Sequence, residues 1–171
     1  MFKTKRLSII KANLVYISQY YEDFTEEICK YQYPDSFKSI DEAEELMTYF
    51  LDEMDNGNML ECMILDNHGE FLGSMEAFGL KEDIIEVGLW LKKSAQRNGY
   101  GYEALKGLLD YLAENYTQDS YVYEVDERNT PSIALIEKFP HVVKEVNEVV
   151  TESGKKLRLI PCIINKRCIS D

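Results

Sequence analysis

The chain has 171 residues, 45% of them hydrophobic, and a formal net charge of −12. This length and composition are typical of one globular domain, so we treat residues 1–171 as a single domain. The acidic excess argues against nucleic acid as a partner, because that affinity depends on Lys and Arg contacts to phosphate. No apolar run reaches membrane-spanning length and the N-terminus does not resemble a signal peptide, so we expect a soluble cytoplasmic protein with no membrane partner.

The first half of the chain predicts a strand followed by two helices. Residues 7–11 are typical of a strand. The apolar residues within 13–31 recur at helical spacing, and we expect Tyr33-Pro34 to end this helix. A capping box of Ser39 and Glu42 opens the second helix. The apolar face of that helix carries Ala43, Leu46, Met47, Phe50, Leu51 and Met54.

The remainder of the chain predicts two antiparallel hairpins around a strand-helix-strand crossover. Its predicted strands are residues 59–65, 70–78, 84–91, 120–125, 142–150 and 156–164. Turns at 66–69 and 151–154 contain the Gly, Asn, Asp and Ser residues that hairpins require. A long helix precedes the fourth of these strands, and Pro131 suits the first turn of a short helix after it. The order predicts an α/β (α+β) fold with a mixed, mostly antiparallel sheet flanked by helices.

Gln96–Gly101 lies between the predicted strand 84–91 and the long helix. Glycines allow backbone N–H groups to converge on an anion, and a helix N-terminus adds unpaired donors and a favourable dipole. The segment therefore favours a pyrophosphate site, although an ordinary strand-turn-helix connection would give the same pattern. Its spacing is neither that of a Walker loop nor that of the dinucleotide fingerprint.

The pattern Gln-x-x-Gly-x-Gly resembles the coenzyme A loop of the GNAT family of N-acetyltransferases. Glu86–Leu91 resembles the strand before that loop in the ribosomal-protein and spermidine branch, and Tyr102–Leu105 resembles the start of its helix. Asn129–Lys138 resembles the second cofactor segment of the family. The resemblance implies a GNAT fold over nearly the whole chain, with acetyl-CoA as co-substrate and no metal. It also implies acetyl transfer to a primary amine by direct attack in a ternary complex, the amine being a protein N-terminus, a polyamine or a small molecule.

The resemblance also implies which residues hold the cofactor. The strand residues would act through their backbone groups, and an N–H of Leu89 or Trp90 would polarise the thioester carbonyl. The loop would bind the pyrophosphate, and Asn129 would bind the pantetheine amide. The implied cofactor-binding set is Leu89, Trp90, Leu91, Gln96, Arg97, Asn98, Gly99, Tyr100, Gly101, Asn129 and Ser132.

Glu86 and Ser132 are the candidate catalytic residues. Glu86 interrupts an apolar strand, and a partly buried Glu has a raised pKa that suits a general base near neutral pH. The alternative is a Glu on the solvent face. Many GNAT members carry a Tyr that protonates the leaving thiolate, but the matching position here is Ile136. By resemblance to the ribosomal-protein branch, Ser132 is the candidate acid.

The acceptor site is less defined by the sequence. In this fold it is lined by the first two helices, their connecting loop and the last hairpin, which here include Tyr31, Tyr33, Asp35, Glu44 and Glu45. The four cysteines lack metal-ligand spacing. We expect a monomer or homodimer. Two alternatives stay open: a relative that binds CoA without efficient turnover, acting as a sensor or binding module, and an unrelated α/β protein that binds another phosphate.

Overall fold

The computed structural model describes residues 1–169. The strands in this part of the chain are β1 Phe2–Lys3, β2 Leu7–Lys11, β3 Met59–Asp66, β4 Phe71–Phe78, β5 Ile85–Leu91, β6 Ser120–Asp126, β7 Val142–Val143, β8 Asn147–Val150 and β9 Lys156–Asn165. The α-helices are α1 Ile17–Asp23, α2 Glu26–Cys29, α3 Ile40–Asp55, α4 Tyr100–Asn115 and α5 Thr130–Ile136.

The described strands form one sheet in the order β1-β2-β3-β4-β5-β6-β9-β7, with β8 also paired to β9. All pairs are antiparallel except β5 with β6, which is parallel. The predicted α+β class and the mixed, mostly antiparallel sheet are therefore confirmed. The crossover through α4 joins the single parallel pair, as a parallel connection requires.

Three elements differ from the sequence-based prediction. The helix predicted within residues 13–31 is divided into α1 and α2. The strand predicted at 142–150 is divided into β7 and β8, and the break lies near Pro161 of β9. The Pro161 carbonyl accepts from the Lys144 N–H, but Pro161 has no N–H with which to donate a second bond to this segment. The short strand β1 was not predicted, since two residues carry no periodic signal.

Each face of the sheet is covered by helices. One face packs against α4 and α5, whose buried residues include Leu105, Leu108 and Ile136. The other packs against α1 and α3, where Trp90 lies among the rings of Tyr20, Phe24 and Phe71. Within residues 1–169, no helix has the length and apolar character needed to cross a membrane.

Strands β5 and β6 separate after a short parallel contact. Their register consists of Ile85 opposite Tyr121 and Glu86 opposite Val122. Beyond these pairs β5 continues to Leu91 and β6 to Asp126 without pairing to each other. An open cleft therefore lies in the middle of the sheet, and the connections to α4 and α5 begin at its wide end. We call this opening between β5 and β6 the cleft.

Candidate functional site

The backbone of β5 lines one side of the cleft. The Lys92 N–H donates to the Leu72 carbonyl at 2.8 Å, so Lys92 faces β4. Because backbone groups alternate in direction along a strand, Trp90 also faces β4, whereas Leu89 and Leu91 turn their N–H and C=O groups toward the cleft. The resemblance offers the N–H of either Leu89 or Trp90 to polarise the thioester carbonyl. By this alternation, only the Leu89 N–H points into the cleft.

Gln96–Gly101 closes the wide end of the cleft. The Gln96 side chain donates to the Leu91 carbonyl at 3.0 Å, and the Asn98 side chain donates to the Gln96 carbonyl at 3.0 Å. Arg97 and Gly99 have positive φ values of 61° and 80°. These side chains therefore shape the loop, while the anion-binding groups it offers are on the backbone.

The amides of this loop are free to bind an anion. Within the described part of the chain, the N–H groups of residues 97–102 have no protein acceptor, and the next N–H, that of Glu103, donates to the Gly99 carbonyl at 3.2 Å. These groups are the first-turn donors of α4 together with the loop that precedes it. Such a run of amides is a suitable cradle for the negative oxygens of a pyrophosphate.

Arg6 is a site residue that the sequence did not indicate. Its guanidinium donates to the Asn98 carbonyl at 2.9 Å and to the Glu103 carboxylate at 2.7 Å. It also lies 4.5 Å from the centre of the Tyr100 ring. The N-terminal strands thus bring a cation to the mouth of α4 and hold the loop in place. A contact across almost a hundred residues leaves no local pattern by which to find it.

A cavity of about 900 Å³ lies beside the loop. Arg6, Gly99, Tyr102 and Lys138 contribute to its wall. The Lys138 ammonium lies 5.8 Å from the centre of the Tyr102 ring, which in turn packs against Phe139. The lining also carries the carboxyl groups of Glu103, Asp110 and Glu114, so the cavity combines an aromatic surface with charges of both signs.

The start of α5 forms the opposite wall of the cleft. Asn129 is the N-cap, and its side-chain oxygen accepts from the Ser132 N–H at 3.3 Å. The Ser132 hydroxyl lies 2.6 Å from the hydroxyl of Tyr123, a buried residue of β6. Burial raises the Tyr123 pKa to about 12, so this phenol stays protonated at neutral pH. Ile136, which by resemblance matches the position of a Tyr in many GNAT members, is buried in the core.

Glu86 lies at the narrow end of the cleft, where β5 and β6 part. The residue is exposed, yet partial desolvation of its carboxyl raises its pKa, and the negative charge of Glu124 raises it further. Both carboxyls lie on the sheet face that packs against α1 and α3. This face also carries Glu61 and Glu76, which were not predicted as site residues although each interrupts an apolar strand.

The region proposed for the acceptor is held together by an ion pair and by contacts of two cations. Lys155, in the β8–β9 hairpin, contacts the Asp35 carboxylate at 2.6 Å and donates to the Cys29 and Gln32 carbonyls. The pKa of Asp35 is lowered mainly by Lys155. Tyr31 lies under the Arg128 guanidinium, 5.1 Å from it. Asp35 is therefore engaged within the chain.

The other residues of that set lie on the surface. Glu44 and Glu45 are exposed on α3, and Tyr33 is exposed in the loop before that helix. Within residues 1–169, no group of three or more His, Cys, Asp and Glu side chains is arranged to hold a metal ion.

Residues 12–139 match the family model of the acetyltransferase (GNAT) domain. The chain belongs to the GNAT family. It is accordingly an acetyl-CoA-dependent N-acetyltransferase, and the resemblance drawn from the loop and its flanking segments is confirmed. A search of curated proteins found no match.

Solved GNAT structures share the fold at low sequence identity. A spermidine N-acetyltransferase from Vibrio cholerae, in complex with CoA and spermine, is 16% identical with a TM-score of 0.82 over 96% of this chain and 98% of that one. RimL, a ribosomal L7/L12 α-N-protein acetyltransferase in complex with CoA, is 14% identical with a TM-score of 0.82 over 95% of both chains. The microcin C7 self-immunity acetyltransferase MccE, in complex with acetyl-CoA and AMP, is 14% identical with a TM-score of 0.83 over 94% of this chain and 93% of that one.

Proposed function

We propose that this GNAT protein transfers the acetyl group of acetyl-CoA to the primary amine of a cationic acceptor by direct attack in a ternary complex. The observation that carries the proposal is the separation of β5 from β6 after Glu86 and Val122. It leaves the backbone of Leu89 facing an open cleft whose wide end carries the unpaired amides of residues 97–102. One cofactor molecule can then reach both features.

The cofactor would lie along the cleft with its pyrophosphate on the loop. Amides from Arg97 to Gly101 would bind the phosphate oxygens, and Arg6 would add a positive charge beside them. The pantetheine arm would pair with the free backbone groups of Leu89 and with the N–H of Leu91, in the place that β6 leaves vacant; the Leu91 carbonyl already accepts from Gln96. The Asn129 amide group would contact the same arm, because only its oxygen is used by the N-cap bond.

Acetyl transfer requires a donor for the developing oxyanion and a proton for the departing thiolate. The Leu89 N–H is the proposed oxyanion donor, since the Trp90 N–H points toward β4. The Ser132 hydroxyl is the proposed acid, and Tyr123 orients it at 2.6 Å. Held donors of this kind contribute mainly through positioning, which supplies much of the barrier reduction in such reactions.

Glu86 is the proposed general base at the other end of the reacting centre. An amine must lose a proton before it attacks, and the raised pKa of Glu86 brings the carboxyl closer to the range in which a base works at neutral pH. The negative charges of Glu86 and Glu124 also favour a cationic acceptor. The substrates named in the similar structures differ, so the proposed acceptor class is a protein N-terminus, a polyamine or a small amine.

One observation favours a second candidate, a GNAT protein that binds CoA with little turnover. The position of the usual acid holds Ile136, whose side chain is buried and has no proton to give. If Ser132 and Tyr123 do not replace that acid, the cofactor would bind without efficient release of thiol. The protein would then act as a sensor or binding module.

Two measurements separate these functions. Calorimetric titration with CoA tests the cofactor site, and we expect one site per chain with micromolar affinity or better. Thiol release from acetyl-CoA is then followed with spermidine, a small diamine and an N-terminal peptide. Release that depends on an amine supports the transferase, whereas CoA binding with no release from any amine supports the binding module. Absence of CoA binding would overturn both.

A further inference from the structure

Three neighbouring strands bring two carboxyl groups to one point of the sheet. Glu61 on β3 is opposite Glu76 on β4, and Glu76 is opposite Gly88 on β5. Side chains of directly paired residues lie on the same face, with Cβ atoms about 5 Å apart. The face is the one that packs against α1, and Glu86 lies on it two residues before Gly88.

Gly88 allows the Glu76 carboxyl to reach across β5. A Cβ at position 88 would lie 2.5 Å from Glu76 Oε1, so any other residue would displace this carboxyl. Gly88 is followed by Leu89, whose backbone faces the cleft. The carboxyl of Glu76 therefore covers the segment of β5 next to the proposed oxyanion donor.

The surroundings of this pair are unusual for buried acids. Glu61 is fully buried; its Oε1 accepts from the Ser74 hydroxyl, while its Oε2 has no hydrogen-bond partner in the part of the chain the structure describes. Within residues 1–169 the indole N–H of Trp90 has no acceptor either, and neither Glu61 nor Glu76 has an ion-pair partner. Buried polar atoms normally find partners, so the unpaired Oε2 of Glu61 leaves the pair of carboxyls open to a proton or a cation.

The charges around Glu76 determine how it titrates. Glu61 faces it from β3, Glu86 from β5 and Tyr20 from α1, and Tyr123 of β6, on the other face of the sheet, is also affected by its charge. None of these groups is cationic. Burial, followed by the charge of Glu86, raises the Glu76 pKa to about 7. Burial and the charge of Glu76 raise the Glu61 pKa well above its usual value, so the two carboxyls do not ionise together and Glu76 is the one that exchanges a proton near neutral pH.

We propose that Glu76, backed by Glu61, is a second proton acceptor of the cleft and takes the proton of the acceptor ammonium beside Gly88. In this step an N–H bond of R–NH₃⁺ breaks and an O–H bond forms on the Glu76 carboxylate, which gives R–NH₂ and a neutral carboxylic acid. The free amine attacks the thioester carbon, the C–S bond breaks, and the thiolate takes its proton from Ser132. The Glu76 proton then leaves through Glu86 to solvent.

The proposal rests on the proposed function and assigns separate roles to the carboxyls. Glu76 contacts the reacting ammonium, and the charge of Glu86 raises its pKa. Glu61, opposite Glu76 on β3, is a positioning residue. Glu86, the base of the proposed function, then receives the proton of the amine through Glu76 and returns it to water. A carboxyl whose pKa matches the working pH is the efficient choice for such a base.

The test is the pH dependence of kcat/KM for one fixed amine, so that the ionisation of the amine contributes equally to every variant. The variants are Glu76→Gln, Glu61→Gln and Glu86→Gln, with Glu82→Gln, exposed and remote in the 79–84 turn, as the matched control. We expect Glu76→Gln to lower kcat/KM at pH 7 by about a hundredfold or more while the Kd for CoA changes less than twofold. The control is expected to match the wild type.

Glu86→Gln provides the readout that a merely structural role would not change. The charge of Glu86 raises the Glu76 pKa, so without it we expect the acid limb of the profile to shift at least half a pH unit toward lower pH, whereas Glu61→Gln should leave the limb in place. Glu76→Asp keeps a carboxyl but moves it away from Gly88. We expect kcat to fall at least tenfold while the pH profile keeps its acid limb. This variant replaces Glu76→Gln if Glu76→Gln does not fold.

Some outcomes overturn only the proposed proton transfer through Glu76. Wild-type activity in the Glu76 variants, or an unmoved acid limb in Glu86→Gln, would remove Glu76 from the reaction while leaving the acetyltransferase intact. Failure of the wild type to release thiol with any amine is instead a failure of the proposed function, so the two results are distinguishable.

Discussion

The carboxylate of Glu103 accepts from the Arg6 side chain at 2.7 Å and from the Arg6 backbone N–H at 2.7 Å. Glu103 is in the first turn of α4, and Arg6 lies between β1 and β2. This pair fixes the N-terminal segment beside the loop that carries the free amides. The charge of Arg6 is thereby held next to the pyrophosphate position rather than left to move in solvent.

Arg6→Ala should therefore weaken cofactor binding and fold stability together. The variant loses a cation beside the loop and leaves Glu103 without its partner, so we expect the Kd for CoA to rise about tenfold and the free energy of unfolding to fall by about 1 kcal/mol. Calorimetry and urea unfolding measure the two effects. Lys144→Ala, an exposed site with the same change in charge, is the control; equal effects from both variants would show that only net charge matters.

Bulky residues at Gly99 and Gly101 should block the cofactor. Gly99 has φ of +80°, which other residues rarely adopt, and a Cβ at Gly101 would contact Leu135 at 3.6 Å and Leu91 at 3.7 Å. We expect Gly99→Val and Gly101→Leu to weaken CoA binding at least a hundredfold. Gly154→Val, with φ of +85° in open space, carries comparable backbone strain far from the loop. Unchanged affinity in the first two variants would refute the loop as the pyrophosphate site.

Removal of the proposed acid should slow departure of the thiolate. Ser132→Ala deletes only the hydroxyl, and the Asn129 side chain still caps α5 because it accepts from the backbone. We expect kcat to fall tenfold to a hundredfold with little change in the Kd for CoA. Tyr123→Phe should give a smaller loss, since Ser132 keeps its proton but loses its orientation. A wild-type rate in Ser132→Ala would mean that another group supplies the proton.

The buried carboxyls should make the fold less stable as the pH rises. Their pKa values are raised in the native state, so their contribution is fully present below the unfolded value near 4.5 and is lost as the pH rises through the native value, about 7 for Glu76. A shift of that size corresponds to about 3 kcal/mol. We therefore expect Glu76→Gln to gain stability relative to the wild type between pH 5 and pH 8, as measured by urea unfolding. A difference that is the same at both pH values would contradict the raised pKa.

The fold was predictable from sequence wherever a pattern is local. Alternating apolar residues gave the long strands, and the capping box at Ser39 gave the start of α3, where Ser39 Oγ accepts from the Glu42 N–H at 3.3 Å. Local rules were less successful where tertiary pairing decides, as in the division of the 142–150 strand beside Pro161. Such a division depends on the partner strand and not on the segment itself.

The residues of the site also fall into those that a local pattern predicts and those that only the tertiary structure reveals. The loop and Asn129 are marked by short motifs, so the sequence indicates them. Arg6 and the pair of Glu61 and Glu76 become neighbours only when distant strands are placed in register. The sequence does carry one local indication of each acid, a Glu within a run of apolar residues. Burial of an unpaired charge is costly, so such a Glu in a buried strand points to a functional role.

The central claim is that acetyl-CoA fills the cleft between β5 and β6 with its pyrophosphate on the amides at the mouth of α4. A crystal structure of the protein grown with acetyl-CoA tests it most directly. We predict phosphate oxygens within 3.2 Å of N–H groups between Arg97 and Gly101 and the pantetheine arm beside Leu89. Acetyl-CoA ordered elsewhere on the protein, with these amides covered by the chain's own atoms, would contradict the account.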